Sequence, residues 1–216
     1  MFKMKTRAEI KALAKDRFRG HYRQFLGTYA LFVLIYGFLG ASSAGFAAAG
    51  LVFALQNFIV GMNFFALQTY RGEKPEFASM FRNSFSNYWH KLGGMMYMNL
   101  FTFIWSLLFI VPGIIKAIAY SMTPYLLADC EGVSATYAIK LSMKMTKGYK
   151  GQIFVMYLSF IGWELLDILT LGVLGIFYVG PYSITSFAGL YEELKANALA
   201  NGTVTEAELA GSEMNA

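Results

Sequence analysis

From Phe25 to Tyr70 the chain carries not one Asp, Glu, Lys or Arg. Two further blocks are nearly as bare: Leu92 to Ala128 holds only Lys116, and Gly151 to Tyr191 only Glu164 and Asp167. A helix needs roughly 20 apolar residues to cross the hydrocarbon core of a bilayer, and inside lipid the backbone must satisfy its own hydrogen bonds. Each block is therefore long enough for two helical crossings and a tight turn. With 14% charged residues, against about 25% in soluble domains, the chain has too few charges to cover so much apolar surface. The fold class expected is all-α: a polytopic membrane helical bundle of about six transmembrane helices in three hairpins, with two cytoplasmic-side amphipathic helices.

The connections carry the topology. Residues 1–24 hold eight basic residues and read as a basic amphipathic interfacial helix: Thr6 and Glu9 have the spacing of a capping box, and Ile10, Leu13, Ala14, Phe18, Tyr22 and Phe25 recur at helical spacing. The membrane domain is 25–195, with spans at about 25–44, 47–70, 92–111, 114–128, 151–170 and 175–194. The loop 71–91 and the segment 129–150 each carry four Lys or Arg, whereas the expected turns at 40–46, 111–115 and 171–175 carry none. By the positive-inside rule both termini and all basic loops are cytoplasmic. Ser134 opens a second amphipathic helix, with Ala138, Leu141 and Met145 on one side and Lys140, Lys144 and Lys147 on another. Lys11, Lys15 and Arg19 with Lys140, Lys144 and Lys147 are the expected contacts to anionic lipid headgroups. A basic charge balance of +5 distributed this way points to a bilayer and not to nucleic acid. Residues 196–216 read as a polar, disordered cytoplasmic tail.

Within the spans, the small residues Gly37, Gly40, Ala41, Ala44, Gly45, Ala48 and Ala49 allow close helix approach, inside the chain or across a homodimer. Gln56, Asn57, Asn63 and Gln68 should face other helices. Between Pro75 and Tyr88 a short interfacial helix is expected, with Tyr88 and Trp89 at headgroup depth. Helix breaks are expected at Pro112-Gly113, at Pro124 and at Gly180-Pro181, because proline lacks a donor and glycine tolerates turns. A short fourth span containing Pro124 must be covered by protein, which makes that hairpin the place to look for a cavity.

Three ionisable residues lie inside the apolar blocks: Lys116, Glu164 and Asp167. An acid at the bilayer centre costs about 2.5–3.5 kcal/mol, against roughly −0.3 to −0.6 for each Leu, Ile, Phe or Val. Counting from Gly151 places both acids roughly 20–24 Å along their helix, toward the outer face. Lys116 falls at similar depth, so an ion pair of Lys116 with Glu164 or Asp167 is expected, either structural or lining an outward-facing polar cavity. Enzymatic chemistry has no support. Two histidines, His21 and His90, lie outside the spans, no metal-binding or phosphate-binding motif is present, and one cysteine, Cys130, forms no cluster. No catalytic residue, metal or cofactor is therefore expected.

The runs TRAEIKALAKDRFRGHY, FIWSLLFIVPGIIKAIAYSMTPYLLAD, AIKLSMKMTKGYK, LSFIGWELLDILTLG and PYSITSFAGLYEEL resemble a bacterial integral-membrane family catalogued as domain of unknown function 975. The resemblance implies a multi-pass protein of the bacterial plasma membrane and no established activity. Two functions stand as expectations. One is a small transporter or permeation component with a polar site in the outer half of the bundle. The other is a non-transporting assembly, envelope-stress or lipid-interacting scaffold that engages lipid, further copies of itself or another membrane protein.

Overall fold

In the computed structural model, residues 4–41 and 46–211 are described, without the side chains of 35–41, 46–54 and 108. The expected first turn and small-residue stripe, from Gly37 to Ala49, lie outside the described side chains. All regular structure among the described residues is helical, as the uncharged blocks require. Helix α1 (Arg7–Gly20) starts at the Thr6–Glu9 capping box and buries Ile10, Ala14 and Phe18. It packs on α10 (Gly180–Ala200) and α3 (Phe46–Arg71). Only the side of α1 away from these residues faces outward, so its spacing of apolar residues marks a docked helix. Helix α2 (Tyr22–Ala41) leads into α3.

Helix α4 (Phe77–Phe85) forms where a short helix is expected, but it faces the opposite way from a helix on a soluble core. Its buried face is Ser79, Met80, Asn83 and Ser84, while Phe77 and Phe85 are 46% and 59% exposed. The polar face is satisfied by neighbours: Ser79 Oγ donates to Gln68 Oε1 at 2.6 Å and Asn83 Nδ2 to the Ala128 carbonyl at 3.0 Å. Of the amides expected to face other helices, Asn57 donates to the Tyr88 carbonyl at 2.9 Å.

The second hairpin differs from the expected one. Helix α5 (Tyr88–Leu108) ends at Phe109, which is extended at φ −157° and ψ 134°. Helix α6 (Ile110–Tyr120) begins immediately after it. Pro112 and Gly113, expected as the break, lie inside the first turn of α6. The break comes three residues earlier because a proline's missing donor costs nothing in a first helical turn, where that donor is unpaired anyway. Pro124 likewise sits at the start of α7 (Thr123–Asp129), not inside a continuous span. The discontinuity at Ser121–Met122 frees backbone groups that α8 (Ala135–Thr146) satisfies. Ser142 Oγ donates to the Ala119 carbonyl at 2.7 Å and accepts from the Met122 N–H at 3.2 Å. Ser142 and Thr146 are fully buried, so the break at Ser121–Met122 is covered by α8.

Helix α9 (Lys150–Leu169) turns back through Leu171 and Gly172, both at positive φ. A π-helical turn at Gly175–Val179 then enters α10 at Gly180-Pro181. The tail is folded through Gly211, against the expectation of disorder from 196. Helix α10 runs to Ala200, and α11 (Glu206–Ala210) opens on a second capping box, Thr205 with Glu208. Polar composition misleads here because Val204 and Leu209 are buried and Glu208 is anchored.

Two stretches among the described residues are long and apolar enough to cross a membrane, Ile110–Asp129 and Lys150–Leu169. The second is only 17% buried over its apolar window, so most of its hydrocarbon faces outward. Helix α3 approaches α4 through Gly61, where a Cβ would lie 2.5 Å from the Met80 carbonyl oxygen and 2.0 Å from Ser84 Oγ. Gly61→Ala is expected to destabilise the fold by about 1–3 kcal/mol, as overpacking does. Thermal unfolding in detergent, with limited proteolysis at 72–76, measures the loss.

Candidate functional site

The ordered polar chemistry of the molecule gathers at one end of the bundle. Arg71 closes α3, Asp129 closes α7, and Tyr191, Glu192 and Lys195 lie on α10. Arg71 Nη2 donates to Asp129 Oδ1 at 2.6 Å and Arg71 Nε to Glu192 Oε1 at 2.8 Å. The other carboxylate oxygen of Asp129 accepts from Lys195 Nζ at 2.6 Å and from the Tyr191 hydroxyl at 3.0 Å. Tyr191 stacks on Tyr125 of α7 with ring centroids 5.6 Å apart. The ends of α3 and α7 are thus tied to the body of α10 by one carboxylate with both oxygens occupied, the condition for an ion pair to survive burial.

Two clamps flank this node. The Lys5 backbone N–H and ammonium both donate to Glu193, at 2.9 and 2.5 Å, tying the segment before α1 to α10. On the other side Glu208 of α11 receives the Lys144 ammonium and the Tyr137 hydroxyl from α8. Burial opposes ionisation of Glu208. The Lys144 ammonium, the Tyr137 hydroxyl and the Thr205 N–H outweigh it and hold the carboxyl at about 2. Lys91, at the start of α5, is buried without a carboxylate in contact. Its ammonium donates to the Asn83 carbonyl, Asn83 Oδ1 and Ser86 Oγ at 2.6, 3.0 and 2.9 Å. Burial pushes Lys91 down to about 8, with Glu131 acting weakly against it. The arrangement caps the C-terminal carbonyls of α4 with a cation, the favoured sign at that end of a helix.

The three ionisable residues of the apolar blocks do not meet as expected. Lys116 lies over the Trp105 ring at 4.9 Å from its centroid, a cation–π contact along its own hairpin. Asp167 accepts the Gly175 N–H and so caps the returning turn. Glu164 is exposed. No ion pair among the described residues joins Lys116 to either acid. Their spacing along the chain did not fix the rotation of α6 relative to α9.

The expected headgroup contacts divide. Lys15 is half-buried, and Arg19, Lys140 and Lys147 are exposed. Lys144 is engaged by Glu208, and Lys11 turns inward. The Lys11 ammonium donates to Ser159 Oγ at 3.1 Å and sits 4.0 Å from the centroid of Phe160. Burial, with Arg7 beside it, holds Lys11 below the usual lysine range.

Sequence reading missed the Asp129 node because its members stand far apart in the chain. The available signal was that Arg71, Asp129 and Glu192 each border an apolar block. The chemistry of this end is ion pairing and presentation of cations. Among the described residues no group of three or more His, Cys, Asp or Glu is placed to hold a metal ion.

Asp129→Asn should lower stability by somewhat less than the about 3–5 kcal/mol lost when one partner of a buried pair is removed, because the Arg71 and Lys195 side chains keep 27% and 22% exposure. A fall in melting temperature in detergent is the readout. Glu208 has its folded pKa depressed, so the stabilisation of α11 is full above the ordinary carboxylate value of about 4.3. It is lost as pH falls toward about 2. Hydrogen exchange of the 205–211 amides between pH 6 and 2.5 should show protection falling at the acid end, and Glu208→Gln should abolish that dependence.

No curated protein and no solved structure matches the chain. Residues 109–198, from the break before α6 into the last turns of α10 and including Asp129, Tyr191 and Lys195, match the family described as Protein of unknown function (DUF975), the family that the sequence resembles.

Proposed function

We propose that this is a multi-pass protein of the bacterial plasma membrane, with six crossings in three hairpins and both termini in the cytoplasm. Its role is that of a non-transporting, lipid-engaging scaffold. The observation that carries this reading is the inside-out distribution of side chains. Helices α5, α6 and α9 expose Leu100, Phe103, Leu107, Ile110, Leu165 and Leu169 at 55–78%. The ion-paired residues, by contrast, are confined to one end. In water so large an apolar surface would drive aggregation; in hydrocarbon it is at rest.

The end that carries the ion pairs also presents Lys140 and Lys147 to the outside. Such a basic face is attracted to the anionic inner leaflet by about 1 kcal/mol per cation near the surface. Transport through a path lined by Lys116, Glu164 and Asp167 has less behind it, since each of the three is turned toward different surroundings.

The topology is testable with single cysteines in a Cys130→Ser background. A membrane-impermeant maleimide applied to intact cells is expected to label Leu171→Cys. Lys74→Cys and Lys147→Cys should react only after permeabilisation, and alkaline carbonate should leave the protein in the membrane. Release by carbonate, or labelling of Lys74→Cys from outside, overturns the reading.

A further inference from the structure

A cleft of about 580 Å³ opens between the start of α1 and the start of α9, within the roughly 300–1,000 Å³ range of small-molecule sites. Its wall is apolar, formed by Ile10, Val155, Met156 and Leu190, with Arg7 and Gln152 at its margin. Arg7 and Gln152 are exposed. Lys5, which also borders the cleft, is neutralised by Glu193. Arg7 has no such partner, and no ion pair among the described residues includes it. It stands instead beside a second cation, Lys11, which faces Phe160 and Ser159 and no carboxylate. Positive charge is therefore in excess where the apolar wall meets water. The wall is continuous with the bare face of α9, where Phe154, Val155 and Leu158 are 44%, 42% and 44% exposed. A ligand that satisfies both features has an anionic head and a hydrocarbon tail running onto α9.

We propose that this cleft holds one anionic phospholipid, its phosphate against Arg7 and an acyl chain along Ile10, Val155, Met156 and Leu190. An arginine fork matches phosphate oxygens in geometry as well as charge, and basic pockets between helices on the cytoplasmic side suit anionic headgroups. The first turn of α9 adds the same sign of field, because Tyr149 provides no side-chain cap to it. A free phosphate would leave Val155 and the adjoining Phe154 and Leu158 uncovered, so the lipid and not the bare anion is the occupant. The site rests on the membrane reading above and specifies where lipid is held.

The test is native mass spectrometry of the full-length chain, released from micelles doped with phosphatidylglycerol or phosphatidylcholine. Wild type is expected to retain one phosphatidylglycerol in preference to phosphatidylcholine, and Arg7→Gln to weaken that preference roughly fivefold. Gln152→Glu, which sets a like charge at the margin without touching Arg7, should do the same. Val155→Trp, which fills the wall, should reduce retention of both lipids. Lys147→Gln, a basic residue outside the cleft, should behave as wild type. The proposal falls if wild type shows no preference. It falls equally if Arg7→Gln and Gln152→Glu both match Lys147→Gln, or if soluble glycerol phosphate displaces the lipid fully. Carbonate extraction of the same variants separates this outcome from failure of the membrane reading: a chain that stays in the membrane yet shows no lipid preference has lost only the cleft.

Discussion

Asp129 is the residue on which the arrangement of helices depends. It ends α7, and its two oxygens take cations from α3 and α10 together with the Tyr191 hydroxyl. A carboxylate so enclosed is stable only while all its partners are present, because each removed donor leaves desolvated charge behind. On the membrane reading proposed above, helices packed side by side lack the hydrophobic drive that assembles a soluble core. A directional, charge-assisted contact at their ends therefore decides register in a way that leucine against leucine does not. Tyr125, stacked on Tyr191, carries the constraint from the helix end into the body of α7.

The second constraint is backbone satisfaction at the break between α6 and α7. A helix interrupted within an apolar layer exposes carbonyl and amide groups whose isolation costs several kcal/mol. Here one hydroxyl does two jobs, accepting from Met122 and donating to Ala119, while Thr146 also reaches the Ala119 carbonyl at 3.3 Å. Helix α8 is thereby drawn into the bundle. Its lysines are left on the outward side because Ala138, Leu141, Ser142 and Met145 occupy the inward one.

These two constraints explain what the sequence disclosed. The helical class, the capping box at Thr6 and the cap at Ser134 follow from local residue order and are present. The positions of Pro112 and Pro124 were visible, but not their roles, since a proline ends one helix or opens the next depending on which neighbour supplies the hydrogen bonds. The α11 latch escaped notice because a tail of small and polar residues has no periodicity. Its anchor, Glu208, acquires meaning only beside Lys144, 64 residues earlier. Helical rise gives the positions of Lys116, Glu164 and Asp167 along their helices. It does not give their partners, because azimuth depends on how α6 and α9 pack, and Lys116 meets the Trp105 ring instead of an acid.

The distribution of compensated and uncompensated cations then separates structure from presentation. Lys5, Arg71, Lys144 and Lys195 each meet a carboxylate, and each ties two segments together. Lys91 and Lys11 are held by neutral oxygens and a ring, positions where a lysine serves to cap or to wedge. Arg7, Arg19, Lys140 and Lys147 have no carboxylate partner among the described residues and are exposed. An exposed cation contributes little to folding, since solvent screens it, yet its field reaches about 8–10 Å into the surrounding solution at physiological salt. Exposed acids such as Glu73, Glu76 and Glu131 on neighbouring segments offset part of this charge, yet the chain as a whole keeps a balance of +5. That excess, with the bare hydrocarbon of α9 beside Arg7, suits a counter-charge that is itself amphipathic.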